Sequence, residues 1–327
     1  MKKFFKITGF VLGVLVLAIA AFVGYVAAVG VKSYDPPATP HLRVARTPAA
    51  VKRGEAIGLM HCLPCHGDAE GRLTGKQLTD LPEMFGTIYS ANITQDPEIG
   101  VGRWSDGDLK YFLRTGVRPD GTFAGVMPKF PNMADADVEA VIAWLRSDLP
   151  PVQATRRSAP ESEYSLFSKL LTHTVLKAIP YPAEELRVPD STDQVAFGRY
   201  VANDYAHCYA CHSADFTKQD AVHPEKSAGF YGGGNPMVSE GGKPIFTANL
   251  TFDPQTGIGG GKYTREQFVR AVKLGVRPDG TTLRPPMGPH PTLTDAEAGA
   301  IFEYLKTVPK IHNDVPQKER EALAKNE

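Results

Sequence analysis

Cys62-Leu63-Pro64-Cys65-His66 and Cys208-Tyr209-Ala210-Cys211-His212 are two C-x-x-C-H motifs, 146 residues apart, which together use all four cysteines of a 327-residue chain. Two cysteines with a two-residue spacer on a helical turn hold their sulfurs a fixed distance apart on one side of the chain, as two thioether bonds to the vinyl groups of a haem require. The histidine that follows at once projects its imidazole onto the iron as proximal ligand. The motif predicts two covalently bound haems c, attached at Cys62, Cys65, Cys208 and Cys211 and ligated by His66 and His212. A four-cysteine zinc site would leave both histidines unexplained, and a redox dithiol wants a strand-helix-strand context that is absent here.

The motifs are corresponding points of an internal repeat. Ala91-Asn92-Ile93-Thr94 with Asp96-Pro97 returns 157 residues later as Ala248-Asn249-Leu250-Thr251 with Asp253-Pro254. Gly116-Val117-Arg118-Pro119-Asp120-Gly121 returns unchanged as Gly275-Val276-Arg277-Pro278-Asp279-Gly280, and Met127 and Met287 lie 160 apart. The second copy carries 11 extra residues between His212 and Asn249, which the sequence reading puts in a surface loop around Gly232-Gly233-Gly234. Capping signatures at Ser105 to Asp108, Thr264 to Gln267 and Thr294 to Glu297 start helices, and Gly116 and Gly275 suit left-handed ends. Val138, Val141, Ile142 and Leu145 give one further helix an apolar face, and a helix is expected to lead into each motif, from about Val51 and from about Asp193. No strand pattern competes.

A sixth iron ligand that stays bound in both oxidation states suits an electron carrier, and a thioether also raises the potential. Met127, in Gly125-Val126-Met127-Pro128, and Met287, in Pro285-Pro286-Met287-Gly288, are equivalent within the repeat and are the expected ligands. Met84 or Met133 would replace the first and Met237 the second, while Met60 sits too close to its own motif to reach the far haem face. His61 and His207 read as core or loop residues. Arg118 and Arg277 suit either haem propionates or a solvent-exposed structural role.

With 36 basic and 36 acidic residues and no long run of one sign, nothing points to a nucleic-acid partner. The 31 glycines and 27 prolines require much loop, and an enclosed apolar macrocycle supplies core area that loop-rich domains of about 100 residues otherwise lack. Ile7 to Val31 holds no charged residue. As a helix of roughly 37 Å it exceeds the ~30 Å of a bilayer's hydrocarbon core. A cleaved signal peptide is the competing reading, but cutting after Ala20 would leave Ala21 to Val31 as an exposed apolar stub. Lys2, Lys3 and Lys6 precede this stretch, which leaves the N-terminus cytoplasmic and the rest exported. Between the copies, Leu166, Phe167, Leu170, Leu171, Val175 and Ile179 recur at helical spacing in a linker otherwise marked by prolines. That helix is expected to pack between the domains, the alternative being a partner subunit or the membrane surface.

Phe85-Gly86-Thr87-Ile88-Tyr89-Ser90-Ala91-Asn92-Ile93-Thr94, followed by Asp96, Gly100, Trp104-Ser105 and Asp108, resembles the cytochrome c subunits of membrane-bound alcohol, aldehyde and sugar dehydrogenases. The resemblance covers both repeats and the apolar linker helix. It implies a subunit that takes electrons from a quinoprotein or flavoprotein catalytic subunit and passes them to ubiquinone or a terminal oxidase. The chain departs from that family in having two haem sites where three are usual, in its N-terminal anchor, and in Gly259-Gly260-Gly261-Lys262-Tyr263 where the first copy has Gly102-Arg103-Trp104.

The expected architecture is all-α: two tandem cytochrome c-like domains behind an N-terminal transmembrane helix. Residues 1–32 form the anchor, 33–46 a linker, 47–150 the first domain, 151–190 the linker with its amphipathic helix, 191–311 the second domain and 312–327 a polar tail. The expected function is one-electron transfer rather than catalysis, since two fully ligated irons leave no open position. The partners are the membrane and redox proteins: a dehydrogenase, an oxidase or another cytochrome. The expected place is the periplasmic side of a bacterial inner membrane, by a single pass. A dihaem enzyme of peroxidase or thiosulfate-oxidising type is the alternative.

Overall fold

The computed structural model describes residues 2–239 and 242–324; Met1 and 325–327, the outer ends of the expected anchor and tail, lie outside the described residues. Eleven α-helices follow one another among these residues: α1 (Lys2–Val29), α2 (Pro48–His61), α3 (Leu63–His66), α4 (Asp106–Thr115), α5 (Asp135–Leu145), α6 (Leu166–Thr174), α7 (Gln194–Tyr200), α8 (Cys208–His212), α9 (Arg265–Leu274), α10 (Asp295–Leu305) and α11 (Val315–Ala324). Two short antiparallel ladders interrupt them, β1 (Gly86–Thr87) with β2 (Glu163–Tyr164) and β3 (Pro236–Val238) with β4 (Pro244–Phe246). The chain is helix-rich with an apolar N-terminal helix. The ladders add to the all-α expectation, and strands of two or three residues are too short for side-chain alternation to betray them.

Packing divides the chain into two units. The first takes the chain up to Arg43, Cys65–Pro128 and Pro150–Pro180; the second takes Val44–Pro64, Lys129–Leu149 and Tyr181 onward. In the first unit, α1 is long and apolar enough to cross a membrane, a test that signal sequences also pass. Its C-terminal end packs on α6: the Gly30 carbonyl lies 3.1 Å from His173 Nε2, and Tyr25 meets the His173 ring edge-on. The linker helix is shorter than its apolar pattern, ending at Thr174, and Val175 beyond it is exposed. Helix α4 begins with the Ser105 to Asp108 capping box and ends at Gly116 in the left-handed conformation, burying Leu109, Phe112 and Leu113.

In the second unit, α2 packs on α5 and α7 on α10 by the same device. A Cβ on Gly54 would stand 1.8 Å from the Ala140 carbonyl oxygen, and one on Gly198 would stand 1.9 Å from that of Ala300. Only hydrogen at these positions lets the paired helices come this close. Gly58, one turn on, lies against the Trp144 ring. Arg53 of α2 then joins Asp137 of α5, at 2.7 Å, to Glu297 of α10, at 2.5 Å, so one guanidinium ties the two helix pairs together. The Tyr200 hydroxyl donates to Asp137 at 2.5 Å, and Arg53 lies over the Tyr205 ring. Both α9 and α10 start with the anticipated capping boxes, and α9 ends at left-handed Gly275.

The approaches to the two motifs differ. Helix α2 runs without a break to Cys62, whose N–H bonds the Gly58 carbonyl. After α7 the chain makes a π-helical turn, Val201–Tyr205, and His207 then takes the left-handed conformation (φ 52°). A non-glycine residue there costs about 1–3 kcal/mol, so its surroundings must hold it. The π turn also buries Asp204. Burial raises its carboxyl to about 6, against the opposing effects of Arg199 and an Asn132 hydrogen bond.

Two consequences can be measured. Gly54→Ala should lose about 2–3 kcal/mol of stability through overpacking, and Gly198→Ala a similar amount, by denaturant unfolding. An unchanged midpoint in either would show that the helices can separate at no cost. Asp204 binds its proton more tightly folded than unfolded, so its stabilising contribution is complete below about pH 4 and is lost as the pH rises through 6. Asp204→Asn should abolish that slope and gain roughly 1–3 kcal/mol at pH 7. A slope that survives in the variant would assign it to another group.

Candidate functional site

Each motif histidine is set by the same bond. His66 Nδ1 lies 2.7 Å from the carbonyl oxygen of Ala91, and His212 Nδ1 lies 2.9 Å from that of Ala248. A carbonyl only accepts, so Nδ1 carries the proton and Nε2 keeps its lone pair. Both side chains are buried, and burial lowers both pKa values, which favours the neutral, ligating form. The two carbonyls belong to the repeated Ala-Asn-x-Thr motifs, whose role the sequence signalled only by its recurrence.

The asparagines make those carbonyls rigid. Asn92 Oδ1 accepts from the Thr94 N–H and hydroxyl, while its Nδ2 donates to the carbonyls of Thr155 and Arg157. Asn249 Oδ1 likewise accepts from both donors of Thr251, and its Nδ2 donates to the Ile311 carbonyl and to the Thr256 hydroxyl. The expected polar tail therefore contributes: Asn313 donates to the carbonyls of Gly232 and Gly233, and Glu319 of α11 pairs with Arg284 at 2.8 Å.

The glycine run corrects one expectation. Gly232 and Gly233 are buried, and the Gly233 N–H bonds the His212 carbonyl just as the Gly75 N–H bonds that of His66. A side chain on Gly75 would stand 2.2 Å from the Ser90 carbonyl oxygen, and one on Gly233 would stand 2.4 Å from the Ala248 carbonyl carbon. These glycines bring each histidine against its Ala-Asn-x-Thr segment. The inserted residues precede them, in the stretch between Ser213 and Phe230, half of it exposed, that includes short turns at Phe216–Lys218 and Pro224–Lys226. Glycine composition alone cannot separate a surface loop from a close backbone approach.

No disulfide forms: Cys62 is buried, Cys65 and Cys208 are half-buried, and Cys211 is exposed. The Cys65 carbonyl accepts from the Ser90 hydroxyl and the Cys211 carbonyl from Asn235 Nδ2. In the second unit, Cys208, Cys211, His212 and half-buried Met287 occur together. His66, Cys65 and half-buried Met127 belong to the first unit, and Cys62 to the second. Of the substitute ligands, Met84 is exposed, Met133 is fully buried, and Met237 pairs with Ile245 across the second ladder. Arg118 bonds the Thr122 hydroxyl, and its charge helps to keep His66 neutral.

Two features escaped the sequence reading. His290, three residues past Met287, lies near enough to both His61 and His212 for its charge to oppose theirs. His61, Phe130 and His207 form a packed triad, with centroids 5.1 Å apart for His61 and Phe130, 5.0 Å for Phe130 and His207, and 5.4 Å for the two histidines. Burial lowers His61 to about 4 and His207 to about 3, so both rings are neutral at physiological pH.

The donor set fits a haem c at each motif: two cysteines outside any disulfide, a neutral imidazole oriented by a carbonyl, and among the described residues no group bonded to either Nε2. The sequence comparisons agree with this chemistry. A family model described as cytochrome c oxidase, cbb3-type, subunit III matches residues 49–145. The cytochrome c subunit of a quinone alcohol dehydrogenase from Gluconacetobacter polyoxogenes is 29% identical over 285 residues, which cover 82% of this chain and 58% of that protein. Its counterpart from Gluconobacter oxydans is 30% identical over 277 residues, 80% of this chain and 55% of that one. A dihaem c-type cytochrome from Cereibacter sphaeroides is 28% identical over 262 residues, 76% of this chain and 82% of that one. The chain spans a little over half the length of the two alcohol dehydrogenase subunits. By motif, by the bonding of its two histidines and by these relatives, the chain resembles the c-type cytochromes, and in particular the cytochrome c subunits of dehydrogenases.

Proposed function

We propose that the protein is a membrane-anchored dihaem cytochrome c that passes single electrons from a periplasmic dehydrogenase to a quinone, an oxidase or a soluble cytochrome. Haem would be held through Cys62, Cys65 and His66 in a domain over residues 47–150, and through Cys208, Cys211 and His212 in a domain over 191–311. Bound there, it supplies reversible one-electron chemistry at its iron. The observation that carries the reading is the duplicated Nδ1 to carbonyl bond, which holds both imidazoles in one tautomer with the lone pair on Nε2. A bond of this kind fixes ring orientation and raises ligand basicity.

The other residues bind and orient. Met127 and Met287 would complete the ligation of the two irons, and His290, three residues past Met287, is the second candidate at the second site. Arg118, close to His66, offers a guanidinium for a propionate. Helix α1 anchors the chain in the inner membrane with the haem domains outside, and a dehydrogenase is the donor by likeness to relatives so named.

The chain matured with haem should carry two haems, both low-spin as isolated. Met127→Leu and Met287→Leu should each lower the potential of one haem only, because a thioether ligand raises it. Potentiometric titration with absorption and magnetic spectra checks this. If Met287→Leu changes nothing while His290→Leu does, the second ligand is His290. A stable high-spin haem in the unaltered protein would overturn electron transfer as the sole role and return the dihaem-enzyme alternative.

A further inference from the structure

The second approach to a haem motif is longer than the first by two residues. Gly54 and Gly198 occupy equivalent helix contacts, yet Cys62 follows the one by eight positions and Cys208 follows the other by ten. The π turn, closed by the Ala206 N–H on the Val201 carbonyl, and the left-handed His207 take up the surplus. The result is a particular contact. His207 stacks on Phe130 at an interplanar angle of 28°, its ring centroid 5.4 Å from that of His61. Nε2–H of His61 donates to the Tyr205 carbonyl at 2.6 Å, on the extra turn itself. Each of these histidines is bonded directly to the first cysteine of a motif, and all lie in the second unit.

We infer that the His61–His207 contact is the electron bridge between the two haem attachment sites, built by the two-residue insertion. The path runs from Cys62 along the backbone to His61, crosses once, by the hydrogen bond to the Tyr205 carbonyl or through the adjoining rings, and continues along the backbone to Cys208. One iron is oxidised as the other is reduced; no bond forms or breaks and no proton moves. Tunnelling favours such a path because bonds and hydrogen bonds couple better than gaps, and the half-buried His61 and His207 rings pack against buried Phe130 at the crossing. A packing role alone would need neither the π turn nor a non-glycine residue in the uncommon left-handed conformation. The inference rests on the dihaem reading above.

The test is the rate of inter-haem equilibration after pulse reduction of the full haem-loaded chain, with both midpoint potentials and the ferric magnetic spectra recorded alongside. His61→Ala and His207→Ala should each slow equilibration about tenfold, about 1.4 kcal/mol on the barrier, with potentials and spectra unchanged. The double variant should be little slower than either, since both act on one crossing. His61→Leu, which fills the space without an N–H or a ring, tests the same crossing with the same expected slowing if His207→Ala does not fold. Two haems with an unaltered rate in the folded variants would overturn the bridge and leave the proposed function standing. Fewer than two haems in the unaltered chain would overturn both.

Discussion

The bond from an imidazole Nδ1 to a backbone carbonyl is the constraint around which each site is organised. A histidine one peptide bond from the second motif cysteine could otherwise rotate, and a rotated ring would turn its Nε2 lone pair elsewhere. The carbonyls of Ala91 and Ala248 prevent this only because they are themselves immobile. Hence the asparagine that follows each alanine commits every polar side-chain atom to the surrounding chain, and hence Gly75 and Gly233 have no side chain to push the segments apart. Histidine, alanine, asparagine and glycine thus serve one ring angle.

That organisation explains what the sequence revealed and what it hid. Helix ends were legible because their signals are local: Ser105 with Asp108, Thr264 with Gln267 and Thr294 with Glu297 all form the boxes they spell. The two C-x-x-C-H motifs were legible because their spacing is short and local. The Arg53 cluster was not, since Arg53 and Glu297 lie 244 positions apart and no pattern joins them. The glycine run misled because its composition matches that of a surface turn, whereas its burial depends on the Asn313 amide and the His212 carbonyl, both remote in sequence.

The repeat gives both copies an equivalent helix contact and leaves the approaches free to diverge. Gly54 on Ala140 and Gly198 on Ala300 show that the helix pairs kept their contact distance. A two-residue gain inside a regular helix would rotate everything beyond it by more than half a turn. The π turn and the left-handed His207 undo that rotation, so His212 still meets Ala248 as His66 meets Ala91.

The same argument bears on why the strain persists. A left-handed histidine is disfavoured in isolation, and nothing at a haem attachment motif demands one, since the first copy enters through ordinary helix. Phe130 against its face and His61 at its side hold it, and His61 is itself fixed by the Tyr205 carbonyl in the turn that created the problem. Insertion, strain and contact are therefore one device, and its location between Cys62 and Cys208 ties it to what the two motifs do together rather than to either alone.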